Sequence, residues 1–344
     1  MADGGRRRAF IGSFTAAGGP GIVTAAVDED SGALTPLSRT DSLPDPSCLA
    51  LSPDRRTLYA VSETPRGAVA AYRVDGDAPE RTGPPVRVGG DDPTHLSVHD
   101  GHVLTANYGS GSVTAVPLRP DGTLARSASA VLRHTGSGPY GPRQQGPHAH
   151  QVLPDPSGRW LVSVDLGTDS VRVCTLGNGT LAVHQEFALR PGSGPRHLAF
   201  HPDGGHAYVV NELAPTVTVC RWNPADGALK PLGESPVLPG APTGDAYPSG
   251  IAVAADGRFV WTATRGEDVL SVFTVADGGD TLRLAGTVSC GGRWPRALTA
   301  CDGRLYVANE RSGDVTWFHL DPLTGLPGRG GSVTVPAASW VVFG

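Results

Sequence analysis

The chain is a succession of short apolar runs separated by polar turns. Many runs alternate, as in Val217-Thr218-Val219-Cys220 and Val315-Thr316-Trp317-Phe318, which is the pattern of half-buried strands. The linkers PDRR, PDGG and ADGR between runs have Asp and Gly where hairpin turns need them. One phrase recurs: a proline, an apolar run, an Asp/Gly turn, a second apolar run, a polar loop and a third run. Its leading prolines are Pro46, Pro93, Pro147, Pro195, Pro248 and Pro295, spaced 47, 54, 48, 53 and 47 residues apart. A fourth strand per copy lies in stretches such as LKPLGESPVL. Four-stranded units of this period predict a β-propeller.

Six copies leave two ends. The N-terminal FIGSFTAAGGPGIVTAAVDEDSGALTPLSRT matches the later part of a unit, and the C-terminal PAASWVVFG matches a lone first strand. Joined, they make a seventh blade and remove the exposed sheet edges. The predicted fold is an all-β seven-bladed propeller of four-stranded antiparallel blades. One blade, shared by the N- and C-terminal strands, closes the ring. Residues 9–344 form this single domain, after a disordered tail over 1–8. No long helix is expected.

Composition narrows the function classes. A net charge of −5, with scattered Arg and almost no Lys, argues against a nucleic-acid partner. The absence of a long apolar run argues against a membrane span, and MADGGRRRAFIGSF lacks a signal-peptide apolar region. The five cysteines are unpaired in spacing and suggest neither a disulfide framework nor a metal site. A cytoplasmic protein, a monomer or weak homo-oligomer, is expected.

The repeat also locates candidate chemistry. The innermost strand of a blade lines the channel, and the loop leading into it shares a face with the loop after strand two. Following the prolines stand Ser47, Thr94, His148, Arg196, Ser249 and Arg296. Ending the second strands stand Glu63, Tyr108, Asp165, Glu212, Arg265 and Glu310. Charges vary around this ring while the strands stay alike, which points to a site on a symmetric frame. His148, Arg196, Glu212 and Arg265 are the catalytic candidates. Arg296, Glu310, Asp165, Glu63 and Tyr108 complete the substrate-binding set. His150 aligns with Leu49, Leu96, Leu198, Ile251 and Leu298. It reads foremost as a hydrogen-bonded inner-strand histidine and stands at the edge of that set. His95 and His197 read as packing; His134, His184, His201, His206 and His319 read as facing solvent. His148 and His150, two apart on a strand, point to opposite faces and do not suit one metal. No nucleotide motif or G-x-S-x-G elbow is present. No cofactor is expected.

GPHAHQV with VDLGTDSVRV, GPRHLAFHPDG with VVNELAPTVTV, and TATRGEDVLSVF resemble the lactonase family of seven-bladed propellers. ANYGSGSVTAVPL and HTGSGPYGPRQQGPHAH fit as well, so the resemblance spans about residues 9 to 344. That family contains bacterial 6-phosphogluconolactonases and a fungal carboxy-muconate lactonizing enzyme. The resemblance implies a site at His148, Arg196, Glu212 and Arg265. Three positions depart from the usual pattern: Ala297 for His, Glu310 for Gln, and Ser62 for Asn.

A small anionic lactone or carboxylate is the implied partner. Glu212 or His148 would activate water and the other would protonate the leaving oxygen. Arg196 and Arg265 would hold the oxyanion and an anionic group. Glu212 beside Arg196 is expected to stay ionised, which favours histidine as the titrating group. The alternatives are a cycloisomerase using the same groups and a non-catalytic scaffold.

Overall fold

The computed structural model describes residues 7–344, and its strands form seven sheets arranged as blades. Blade 1 orders Ala338–Phe343, Arg8–Ser13, Ile22–Val27 and Leu34–Thr40. The C-terminal strand therefore lies innermost beside the N-terminal one, with Phe10 opposite Val342 and Ile11 opposite Val341. This is the predicted closure. The inner strands of blades 2 to 7 are Leu49–Leu51, Pro93–His99, Ala149–Pro154, Pro195–Phe200, Tyr247–Val253 and Pro295–Cys301. Blade 2 departs slightly. Its outer strand is split into Glu80–Arg81 and Val86–Arg87, both paired with Ala68–Arg73. Helix among the described residues is limited to two short 3-10 turns, Thr15–Ala17 and Asp277–Gly279. The expected disordered tail falls outside the described residues for 1–6. Arg8 belongs to the sheet, and the Arg7 carbonyl accepts the Val27 N–H.

The alternating strands bury residues on both faces of each blade, so the core is seven apolar layers between neighbouring blades. Blades 4 and 5 enclose Trp160, Val162, Val173, Val209 and Cys220; blades 5 and 6 enclose Tyr208, Val210, Val260 and Phe273. Four cysteines are buried in these layers and Cys301 is half-buried, all as free thiols. Trp340 packs against three layers at once. This makes the closing strand a keystone of the ring. Deleting residues 337–344 removes that strand and leaves Arg8–Ser13 as a bare edge. The expected result is a melting temperature lower by about 10 °C or more, with aggregation. An unchanged melting curve by differential scanning calorimetry would contradict the closure.

Candidate active site

The inner strands carry a bulge at one recurring point. Pro93 faces Asn107 and His95 faces Ala106, which leaves Thr94 unpaired. Arg196 is left out in the same way in blade 5, Arg296 in blade 7 and Ser339 in blade 1. In blade 6, Ser249 and Gly250 are passed over. A bulge re-aims its side chain and often lies beside a site. Here bulged residues also join blade to blade. Thr94 Oγ1 donates to the His150 carbonyl at 3.3 Å and Ser339 Oγ to that of Ser47 at 2.9 Å. Arg196 donates to the Ser249 carbonyl, and Ser249 to that of Pro295.

Blade 4 corrects the sequence alignment. Ala149 faces Asp165 and Gln151 faces Val164, so the bulged residue is His150. His150, not His148, is the counterpart of Arg196. Pro147 belongs to the incoming loop and not to the strand start, a slip of two residues. His148 takes the lead-in position, equivalent to Gly194. At that position Asp45, Asp92, Gly194, Trp294 and Ala337 are left-handed, with φ from 46° to 63°. The two blades without this turn have His148 and Tyr247 there.

His148 is half-buried and firmly oriented. Its backbone N–H donates to Asp165 Oδ1 at 2.9 Å. Its ring stacks on Tyr108, centroids 4.4 Å apart and planes 20° apart. Its Nδ1 lies 2.9 Å from the Tyr108 carbonyl. A carbonyl only accepts, so Nδ1 carries the proton and the neutral ring has its lone pair at Nε2.

Glu212 organises the neighbouring charges. It is 3% exposed, yet Arg143 Nη2, Arg196 Nε and Arg265 Nη2 lie 2.7, 3.1 and 2.7 Å from its oxygens. Burial alone would raise its pKa. Arg265, Arg196 and Arg143 outweigh that and push it down to about 2. A carboxylate so weakly basic is a poor proton acceptor near neutrality, so Glu212 serves as counter-ion to the guanidiniums. Arg196 Nε and Arg265 Nη2 meet Glu212 at ion-pair distance but out of line for hydrogen bonds. Arg143 comes from the long loop between blades 3 and 4 and also donates to the Tyr108 hydroxyl at 3.1 Å. Its side chain is 36% exposed, the most open of the three. Sequence reasoning missed Arg143. The signal was the length of its loop, since long ordered loops are commonly functional.

The far side of the mouth has the opposite balance. Arg296 reaches Glu63 at 3.1 Å and Glu310 at 3.3 Å, passing over the Phe14 ring. Burial raises the Glu63 pKa, with Arg296 opposing. One side thus has three guanidiniums on one carboxylate, the other one guanidinium on two. Tyr247 and Trp294, also missed, flank Arg265 at 6.0 and 5.6 Å. Below the mouth, His150 and His95 both make edge contacts with His197, which with His95 contacts Trp340. Burial first, and Arg196 second, hold His95 down to about 3 and His150 and His197 well below the usual range. Burial and the nearby guanidinium thus favour the neutral form of all three rings.

Asp165 does not join the mouth. In blade register it matches Asn107, Asn211 and Asn309, and Leu166 holds the slot of Glu212. Its fully buried carboxylate accepts from the N–H groups of His148, Gly167 and Thr168, from His134 Nδ1 and from Arg172. His134 is therefore buried, contrary to the solvent-facing expectation. His201 and His206 are half-buried as well.

The mouth thus brings an oriented imidazole and a cluster of guanidiniums together at one end of a seven-bladed propeller. The chain belongs to the lactonase family: the family described as Lactonase, 7-bladed beta-propeller, matches residues 8–343. It is 35% identical to the 6-phosphogluconolactonase of Bacillus subtilis, over 97% of each chain. Its fold matches a putative 6-phosphogluconolactonase from Bacteroides fragilis with TM-score 0.91 and 29% identity, over 100% of this chain and 99% of that one. It matches the periplasmic gluconolactonase PpgL of Pseudomonas aeruginosa with TM-score 0.91 and 30% identity, over 98% of both. Family and fold together support a lactonase-type hydrolase activity.

Two stability measurements test the site's construction. The Glu212 pKa in the folded chain, about 2, lies below the ordinary 4.5. Its contribution is therefore present above 4.5 and lost as pH falls toward 2. Glu212→Gln should flatten the fall in stability between pH 7 and about pH 3 in denaturant titrations; an unchanged slope would contradict the assignment. Asp165→Ala removes one of the two carboxylates that pair with the buried Arg172, leaving Glu186, and strips the acceptor from His134 and from three backbone N–H groups, so about 3–5 kcal/mol of stability should be lost. A loss below about 1 kcal/mol would contradict its role as a hub.

Proposed function

We propose that the protein hydrolyses a sugar lactone bearing an anionic group, such as 6-phosphogluconolactone. The observation that carries this reading is His148. Its Nδ1 is committed to the Tyr108 carbonyl, which leaves Nε2 as the basic nitrogen, and the Tyr108 side chain on which it stacks also accepts from Arg143, the guanidinium that meets Glu212 together with Arg196 and Arg265. Nε2 takes a proton from water, and the water oxygen bonds to the lactone carbonyl carbon. The tetrahedral oxyanion is held by guanidinium N–H groups. Its collapse breaks the bond to the ring oxygen, which takes the proton back from His148. The products are a hydroxyl and a carboxylic acid, which releases its proton to solvent to become the carboxylate, and no metal or organic cofactor enters this scheme. The excess positive charge on this side suits the substrate's phosphate or carboxylate. The names of the Bacillus and Bacteroides relatives support the choice of sugar lactone. Five free thiols fit a reducing compartment, and we place the enzyme in the cytoplasm.

The test is ring opening of fresh 6-phosphogluconolactone, followed by NMR against spontaneous hydrolysis. His148→Ala should lower kcat about 10²–10⁴-fold. Arg143→Met should raise KM more than it lowers kcat. A fully active His148→Ala enzyme would overturn the mechanism. A folded wild-type protein inert toward sugar lactones but active on an unsaturated diacid would instead favour a cycloisomerase.

A further inference from the structure

The face opposite the mouth holds a second cluster of ionisable groups that the lactone chemistry does not use. It lies on the hairpin joining the first two strands of blade 5, whose sequence is His201-Pro202-Asp203-Gly204-Gly205-His206. One ligand atom from each of His201, Asp203 and His206 lies within 4.8 Å of the other two. The hydrogen bonds around the rings fix where their lone pairs point. His201 Nε2 is 3.0 Å from the Gly257 carbonyl, which only accepts, so Nε2 carries the proton. His201 Nδ1 accepts the Asp203 backbone N–H at 3.2 Å, so Nδ1 is the unprotonated nitrogen, and an ion bound there would take the place of that N–H. That nitrogen stands 3.0 Å from Asp203 Oδ1, a second electron-rich atom.

His206 has a carboxylate oxygen at each ring nitrogen, and with its proton on Nε2 its lone pair lies at Nδ1. Its Nε2 is 3.0 Å from Asp280 Oδ1 in blade 6, and Arg221 fixes that carboxylate. Its Nδ1 is 2.9 Å from Asp203 Oδ2. Two imidazole Nδ1 atoms therefore converge on one carboxylate, each with its far nitrogen hydrogen-bonded to an acceptor on the next blade. A carbonyl or carboxylate behind each ligating imidazole is the usual arrangement around a bound metal. Blade 6 is shaped for the two rings: a side chain at Gly257 would meet His201 at 2.3 Å, and one at Gly279 would meet His206 at 2.5 Å.

We propose that His201, Asp203 and His206 bind one zinc-like divalent ion on the face of the propeller opposite the mouth. Two imidazole nitrogens and a carboxylate oxygen are a donor set of the borderline type that zinc accepts, with the remaining position open to solvent. Asp280 and the Gly257 carbonyl do not touch the ion; they orient the ligands. The site is independent of the proposed lactone chemistry, and loading it should leave turnover unchanged.

The experiment is titration of the full chain with zinc chloride in competition with a zinc-binding dye. One equivalent should bind saturably. Asp203→Asn and His201→Gln should each weaken it at least tenfold. Asp280→Asn should weaken it about 10–100-fold by releasing His206. His319→Gln, at an exposed histidine elsewhere, should have no effect. Asp203 lies on an open turn, with its side chain 39% exposed, so its variant should keep the wild-type circular dichroism. Absence of a saturable equivalent would overturn the proposal. Zinc uptake that survives both Asp203→Asn and His201→Gln would overturn it equally.

Discussion

The inner-strand bulge is the constraint on which the mouth depends. A strand with unbroken register sends alternate residues to its two faces, and both faces here are packed against neighbouring blades. Leaving one residue out of register frees it from that packing. Thr94, His150, Arg196, Arg296 and Ser339 all occupy this position. Some use it to tie one blade to the next; two place a guanidinium at the mouth. The same local device thus contributes to ring cohesion and supplies charge where a substrate would enter.

Glu212 decides how that charge is arranged. Three guanidiniums in one buried region repel one another, and a single carboxylate within 2.7–3.1 Å of all of them makes the cluster tenable. The arrangement stays short of neutrality, and the unpaired positive charge is what an anionic substrate would meet. Asp165 plays a corresponding part for His148. It holds the backbone N–H of His148, while its other contacts fix the loop around Gly167 and the buried Arg172. Two buried carboxylates thus set the positions of the guanidiniums and of His148 at the mouth.

The architecture was legible because a propeller writes its period into the chain. The spacing of the prolines, the strand alternation and the complementary termini were enough to place seven blades and their closure. The chemistry was legible only where the repeat was regular. Arg196, Glu212 and Arg265 fall in register and come together as the alignment implied. Blade 4 has Pro147 two residues ahead of its strand, so His148 was set beside Arg196 when that slot belongs to His150. A further slip of one placed Asp165 at the mouth instead of Leu166. A bulge leaves no mark in residue type, and a shift of one or two residues changes which face a side chain joins. Arg143 was invisible for another reason. It belongs to a loop outside the repeat and meets Glu212 across 69 residues of sequence, a contact that no local pattern encodes.

In the proposed reaction a sugar acid sits against the cationic side of the mouth, within reach of His148. A crystal structure of the protein with 6-phosphogluconate, the hydrolysis product of the proposed substrate, tests it most directly. Anionic oxygens are expected on Arg143 and its neighbours Arg196 and Arg265, and the carboxylate within hydrogen-bond reach of His148 Nε2. Product bound beside Arg296 and away from His148, or bound outside the mouth altogether, would contradict it.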